Sequence, residues 1–405
     1  MPTYSIKPPE SNLTPEAMIA RAREMRRMLR AQQAECERAG RILPATNDAF
    51  VRAGFYRIVQ PRRFGGYEFD VATFHRVMIE IARGCPSSGW VLALTAAHTL
   101  ILARFEERAQ IEAYGADGEF RAPASGAPAS VVREPDGCRV KGFWDYASGC
   151  DVGTHFIGPG VVLGAEGERP QQVLLLLNPS DYTIVDNWQM FAMQGTGSKR
   201  VLIEKEIVVP GYRVARGGLS EEVTSQHDIE GLENPLYHAR LMSFLVGEAT
   251  SVIVGTARGA IDMYEEGVGK KPTYFPPFPL RSQNYEHQEH LGRAHALVET
   301  AEAALLKYSE DYTRLSTARM RDEAAFGDVE ERGFIARLQQ CVTMCWEAVD
   351  LLFTTSGTSN GRVDSMLGRY YRDLAVMRTH IVFQHARTAA NLGALRFGER
   401  ARTPF

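Results

Sequence analysis

The sequence predicts an α+β chain in three segments: N-terminal helices, a central antiparallel β-barrel or sandwich, and a C-terminal four-helix bundle. Three observations carry that expectation. From Thr14 to about Tyr114 apolar residues recur at helical spacing. From Phe120 to about Val214 that period gives way to short runs between Gly, Pro and Asp, and from Leu236 onward it returns in four long segments.

Thr14 followed by Pro15 reads as an N-cap and first helical position, with Met18, Met25, Leu29 and Cys36 on one face. A short helix around Thr46 to Ala53 follows. Val71, Phe74, Met78 and Ile81 mark the next stripe, which Arg83 to Pro86 ends; Ser87 or Ser88 then caps a helix running to about Phe105. That helix is apolar nearly all round and is expected to be buried, with His98 in its middle.

The expected strands lie in 129–134, 138–147, 155–163, 171–178, 182–193 and 199–210. Trp144 and Tyr146 share strand parity, which would put both rings on one face. Residues 217–235 are polar and turn-rich and read as a linker or surface loop. The bundle helices are expected at 237–266, 282–315, 328–355 and 364–396. The third shows the clearest face, Leu338, Cys341, Val342, Cys345, Trp346, Val349, Leu352 and Phe353. In the first, Gly247, Gly255 and Gly259 leave a small-residue surface suited to close approach of helices or subunits.

Composition narrows the function. The 405 residues are 44% hydrophobic and 23% charged, and 46 basic against 49 acidic residues give a net charge of −3. A chain of this kind buries a sizeable core and offers no electrostatic reason to expect nucleic acid or a membrane as partner. Six cysteines without a CxxC pair encode neither a disulfide framework nor a zinc site. No uninterrupted apolar run of about 18 residues occurs, and the first 15 residues lack the apolar stretch of a secretory signal, so the cytoplasm is the expected compartment. GxGxxG after a strand, GxxxxGK[ST], HExxH and GxSxG are all missing, which removes the usual support for nicotinamide, ATP and metal-hydrolase chemistry.

What remains is a set of individually weak signals. Gly195-Thr196-Gly197-Ser198 is either an ordinary turn or a set of hydroxyl and backbone donors facing a cofactor edge or phosphate. Tyr146 and Ser148, at the end of 142–149, either pack and turn or hold a planar ligand. His98 is either a core histidine with one backbone partner or an acceptor for a substrate hydroxyl, because burial favours neutral imidazole. His380, on the face of the last helix shared with Asp373, Met377 and Gln384, reads from periodicity alone as a surface or interface histidine, and His385 as structural. The loop Thr354 to Gly361 either connects two helices or wraps a phosphate or flavin edge, with a neighbouring subunit as one source. Cys341 and Cys345 read as core.

Six segments occur in one order: RRFGGYEFD (62–70), IARGCPSSGWVLALTAAH (81–98), GFWDYASGC (142–150), GTGS (195–198), VGTARGAID (254–262) and TTSGTSNGRVDSMLGRYYRDLAVMRTH (354–380). In that order the chain resembles the acyl-CoA dehydrogenase superfamily across nearly its whole length. Within it the likeness is to the oxygenase components of two-component, reduced-flavin-dependent aromatic (p-hydroxyphenylacetate-hydroxylase-like) monooxygenases. The stretch Leu374 to His380 contains no acid, whereas many acyl-CoA dehydrogenases carry a catalytic glutamate there.

The resemblance implies an N-terminal helical domain (1–118), a central β-barrel (119–232) and a C-terminal four-helix bundle (233–405), assembled as a homotetramer. It implies reduced FAD or FMN delivered by a separate NAD(P)H:flavin reductase, O2, and hydroxylation of a small aromatic, phenolic substrate through a flavin hydroperoxide. By resemblance Ser148 lies near flavin N5, Tyr146 and Trp90 line the ring pocket, and Thr196 and Ser198 its polar edge. His380 would assist reaction with oxygen, His98 and Ser125 would hold the substrate hydroxyl, and Ser356 and Gly357 would reach the flavin phosphate or ribityl chain. Ser130 is the alternative to Ser125. The alternative activity is that of an acyl-CoA dehydrogenase or oxidase on the same scaffold.

Overall fold

The computed structural model describes residues 4–125, 128–163, 170–218, 232–323 and 325–401. Most of the segment read as a linker, 219–231, therefore lies outside the described residues, as does part of the sequence around Ser125.

Six helices come first: α1 (Pro15–Ala39), α2 (Pro44–Ala53), α3 (Val71–Gly84), α4 (Pro86–Ala97), α5 (Thr99–Leu102) and α6 (Glu107–Tyr114). Thr14 caps α1 as expected, its hydroxyl accepting from the Ala17 amide at 3.2 Å. The cap of α4 is Cys85, not Ser87 or Ser88, because Pro86 takes the first helical position, where its missing N–H is no loss. The apolar helix does not run through to Phe105. It ends at Ala97, and α5 restarts after His98.

Seven strands follow, β1 (Ala129–Glu134), β2 (Gly137–Ala147), β3 (Phe156–Val162), β4 (Gln171–Leu177), β5 (Thr183–Val185), β6 (Lys199–Pro210) and β7 (Val214–Arg216), in the spatial order β5-β6-β2-β1-β3-β4-β7. The sheet is mixed and open, which corrects the antiparallel barrel. β2 already has β6 on its outer side, so the chain leaving β2 places β3 on the free edge of β1, and the two run parallel with Val131 opposite Val162. Closure needs the end strands to pair; β5 and β7 are three residues each, and no ladder joins them among the described residues.

Trp144 and Tyr146 do not share a face. The β2–β6 register shifts between Trp144 and Ala147, and Tyr146 takes the left-handed conformation, φ 62°, which breaks the alternation. Trp144 is fully buried and donates to Pro159 O at 2.9 Å, whereas Tyr146 is 67% exposed and meets Trp188 edge-on.

The C-terminal helices are α7 (Leu241–Met263, continued as a π-turn to Val268), α8 (Tyr285–Met320), α9 (Asp328–Thr355), α10 (Met366–Met377) and α11 (His385–Arg396). The expected helix over 364–396 is two helices separated by a break at 378–384. The N-terminal helices and the bundle share one core, while the sheet encloses its own around Trp144, Phe156, Leu175 and Val201. α7 is the axis of the shared core. Its glycines serve packing within the chain: a Cβ on Gly255 would lie 2.3 Å from Ile79 O, so α3 and α7 approach backbone to backbone. By length and composition 241–268 could cross a membrane, but 94% of its apolar window is buried inside the protein, which makes it a core helix.

Candidate active site

The end of β2, the Gly195–Ser198 turn, the first half of α4 and the break after α10 converge on one cleft. Trp90 Nε1 donates to Ser148 Oγ at 3.2 Å, Ser148 and Ser198 share a hydrogen bond of 2.7 Å, and Ser198 and Thr196 share one of 2.6 Å. Thr196 Oγ1 donates on to Met193 O at 2.8 Å. Four of the residues assigned to cofactor binding thus form one bonded row. The turn must be bare at Gly195, where a Cβ would come within 2.4 Å of Cys36 Sγ. Tyr146, 67% exposed, offers aromatic surface at the same strand end, with Trp188 edge-on to it.

His380 is not on a helix. It is the cap of the short turn Ile381–Phe383, accepting weakly from the Val382 amide, and its ring meets Trp90 edge-on with centroids 5.5 Å apart. The face expected to join it to Asp373 and Gln384 is interrupted by the break. Crowding against Trp90 and Phe383 disfavours imidazolium and pushes its pKa down, although the residue as a whole stays exposed.

His98 caps the end of α4, a helix terminus rather than a mid-helix position. Its Nδ1 bonds Ala122 O at 2.6 Å, which fixes Nδ1 as the donor and turns Nε2 toward Glu248 Oε1, 3.7 Å away. Three residues beyond Ala122, Ser125 Oγ donates to Asp145 O at 2.9 Å, next to Tyr146. One short segment therefore ties His98 and Ser125 to the strand end that carries Ser148.

The sequence reading missed two residues here. Glu248 of α7 is fully buried; desolvation raises its carboxyl to about 7, the nearby His98 opposes that rise, and Oε2 has no hydrogen-bond partner among the described residues. Asp373 of α10 accepts from the Met193 amide at 2.6 Å, and burial likewise pushes it up to about 7. A lone acid inside the apolar run of α7 was the available signal for Glu248; nothing local pointed from Asp373 to Met193.

Ser356 and Gly357 do not join this cleft within one chain. Arg281 Nη1 donates to Ser356 O at 2.6 Å, and the loop lies at the opposite end of α10, roughly 18 Å away along a 12-residue helix. Ser359 and Asn360 border a separate open cavity of about 390 Å³ with Met263, Lys271 and Asp364. Among the described residues no group of three His, Cys, Asp or Glu is placed to hold a metal ion, and all six cysteines are free and buried.

The donor set fits a flat heteroaromatic cofactor: a row of three hydroxyls for its polar edge, an indole at one end, and a crowded imidazole against that indole. Nothing in the row carries fixed charge. Comparison with known proteins points the same way. Residues 15–116 match the family described as acyl-CoA dehydrogenase, N-terminal domain, and residues 249–385 that described as acyl-CoA dehydrogenase, C-terminal domain. The flavin-dependent monooxygenase oxygenase subunit HsaA of Rhodococcus jostii is 30% identical, covering 91% of this chain and 95% of that protein. The FADH(2)-dependent resorcinol hydroxylase oxygenase component of a Rhizobium species is 28% identical, covering 90% of each. Among solved structures, 3-HSA hydroxylase from a Rhodococcus species superposes with a TM-score of 0.87 at 26% identity, covering 96% of this chain and 98% of that one.

Proposed function

The chain belongs to the acyl-CoA dehydrogenase family, in its branch of flavin-dependent monooxygenase oxygenase subunits, and on that premise we propose that it hydroxylates a small phenolic compound. It would take reduced FAD or FMN from a separate reductase, with O2 as co-substrate. The reduced flavin, when bound, supplies the oxygen activation. The observation that carries the reading is the bonded row Trp90–Ser148–Ser198–Thr196, with His380 against its indole end.

The residues divide the work. Ser148 offers its hydroxyl at the flavin N5 edge, and Ser198 and Thr196 hold that hydroxyl in line. Trp90 and Tyr146 border the ring, and the crowded, neutral imidazole of His380 manages a proton on the oxygen-reacting side. His98 receives the proton of the substrate hydroxyl, which Ser125 helps to place; loss of that proton raises electron density on the ring carbon to be hydroxylated. Ser356 and Gly357, distant within one chain, are assigned to the flavin of a neighbouring subunit in a homotetramer.

An acyl-CoA dehydrogenase would instead need a carboxylate base beside the flavin. Between Leu374 and His380 there is none, and Glu248 lies against His98. The test is turnover with a flavin reductase, NADH, FAD or FMN and a panel of phenols under ¹⁸O2. Labelled hydroxylated product is expected; bleaching of bound flavin by an acyl-CoA, with no hydroxylated phenol, would overturn the reading.

A further inference from the structure

Glu248 has no role in the reading above, yet it is a carboxyl-bearing side chain buried in the shared core. It lies on α7 with its carboxylate 2% exposed, and the Nε2 of His98, itself 6% exposed, lies 3.7 Å from Oε1. The gap of 3.7 Å is an ion-pair contact and too long for a hydrogen bond, so both Glu248 oxygens are poorly served. A buried acid in an apolar helix persists against several kcal/mol of desolvation only when a charge or proton nearby compensates it. His98 is placed to do so, because Nδ1 is committed to Ala122 O and any second proton must sit on Nε2.

We propose that Glu248 is a positioning residue for hydroxylation, its carboxylate holding the imidazolium that His98 becomes when it takes the proton of the substrate hydroxyl. The proposal rests on the phenol-hydroxylating reading. In the step the substrate O–H bond breaks, its electron pair stays on oxygen, and the proton forms the Nε2–H bond. The summed charge of substrate, His98 and Glu248 is −1 before and after, so the only new charges are a phenolate and an imidazolium with its counter-ion already in place. Without the carboxylate the imidazolium would stand alone in the apolar seam between α4 and α7. The substrate class that follows is a phenol of ordinary acidity, one that must be deprotonated by the site.

The other titratable groups at this level of α7 do not compete. From α3, His75 is bonded to Ser309 and pushed down to about 3 by burial; from α8, Tyr308 is held well above its ordinary value; from α9, Glu331 is paired with Arg240. Glu248 is left as the acid at this level whose carboxyl is raised to about 7, with the Nε2 of His98 3.7 Å from it. Asp373 also titrates near 7, but against Met193, so only a variant of Glu248 separates the two.

The test follows the absorbance of bound 3-nitrophenolate against pH in wild type, Glu248→Gln, Glu248→Asp and His98→Asn, a readout that needs no flavin turnover. In the wild type the bound probe is expected to ionise at least one pH unit below the free probe. Glu248→Gln should abolish that shift, a tenfold or greater loss of bound phenolate at a given pH, with binding of the neutral probe retained. His98→Asn should give the same loss, and the double variant no more than either single one. Glu248→Asp, which draws the carboxylate back by one methylene, should fall between, and it carries the test where the Gln variant does not fold. Wild-type ionisation in folded Glu248→Gln or Glu248→Asp would overturn the proposal while leaving the phenolic reading intact. Failure of the wild type to bind the probe, or wild-type ionisation in His98→Asn, would overturn the phenolic reading and the proposal with it.

Discussion

Two helices of this chain are interrupted, and each interruption delivers a histidine. The break between α4 and α5 puts His98 in a closed seam, bonded to Ala122 O and facing Glu248. The break between α10 and α11 puts His380 on an open edge, held by ring contacts with Trp90 and Phe383 and one weak cap. The first histidine is built into the core and the second rests on it. The same residue type therefore has opposite couplings to stability: what is done to His98 is felt by the fold, and what is done to His380 is felt by the chemistry alone.

The largest expected effect is at the closed break. His98→Asn keeps a hydrogen-bonding side chain but removes basicity, and hydroxylation should fall roughly 10²- to 10⁴-fold while flavin binding is retained. Product formation and oxygen consumption, measured together, check it, since oxygen should then be recovered as hydrogen peroxide. Next is the pH dependence of Glu248. Its carboxyl is raised from 4.5 to about 7 in the folded chain, so the folded state binds this proton more tightly than the unfolded one. The stability it contributes is complete below about 4.5 and is lost as pH rises through about 7. Glu248→Gln should therefore be more stable than wild type at pH 9 by up to roughly 3 kcal/mol and equal to it near pH 4. Denaturant titrations at the two pH values decide this, and a constant difference between them would break the reading of Glu248 as a buried carboxyl raised by desolvation.

At the open break, His380→Ala should slow oxygen consumption about tenfold, equivalent to about 1.4 kcal/mol, and leave thermal stability within about 0.5 kcal/mol, as for other exposed positions. A large loss of stability would erase the contrast between the two breaks. The smallest effect is expected where they meet the hydroxyl row. Ser148→Ala removes the acceptor of Trp90 and the partner of Ser198, and flavin affinity should weaken by about 1 kcal/mol, a few-fold in Kd, with more oxygen diverted to peroxide.

Much of this was legible in the sequence because periodicity reports faces. Helices, then strands, then a bundle came from apolar spacing, and the row of hydroxyls from GTGS and YASG. The breaks were not legible. Each break goes with a tertiary contact that periodicity cannot express, the bond of His98 to Ala122 O and the ring contact of His380 with Trp90. The parallel pairing of β1 with β3 was equally hidden, since it depends on which sheet edge is already occupied. Tyr146 was misplaced for a local reason that strand parity cannot express, one left-handed residue at a register shift. Glu248 was passed over because an acid in an apolar run contributes nothing to a periodicity and is conspicuous only by its cost.

The near-total burial of α7 also sets a schedule for biosynthesis. Its 28 residues, Leu241–Val268, emerge from the ribosome after α3 and α4 but before α8, α9 and α10, which supply the rest of its covering. At about 5–20 residues per second, the 109 residues from Gly269 to the end of α10 at Met377 take roughly 5–22 s to make. During that interval a segment apolar enough to enter a lipid bilayer has one side docked on the N-terminal helices and the other bare. The order of the chain is thus protective. The helices that can receive α7 are already made, and a rearranged gene that placed the bundle first would present the same segment to chaperones and membranes with nothing to dock on.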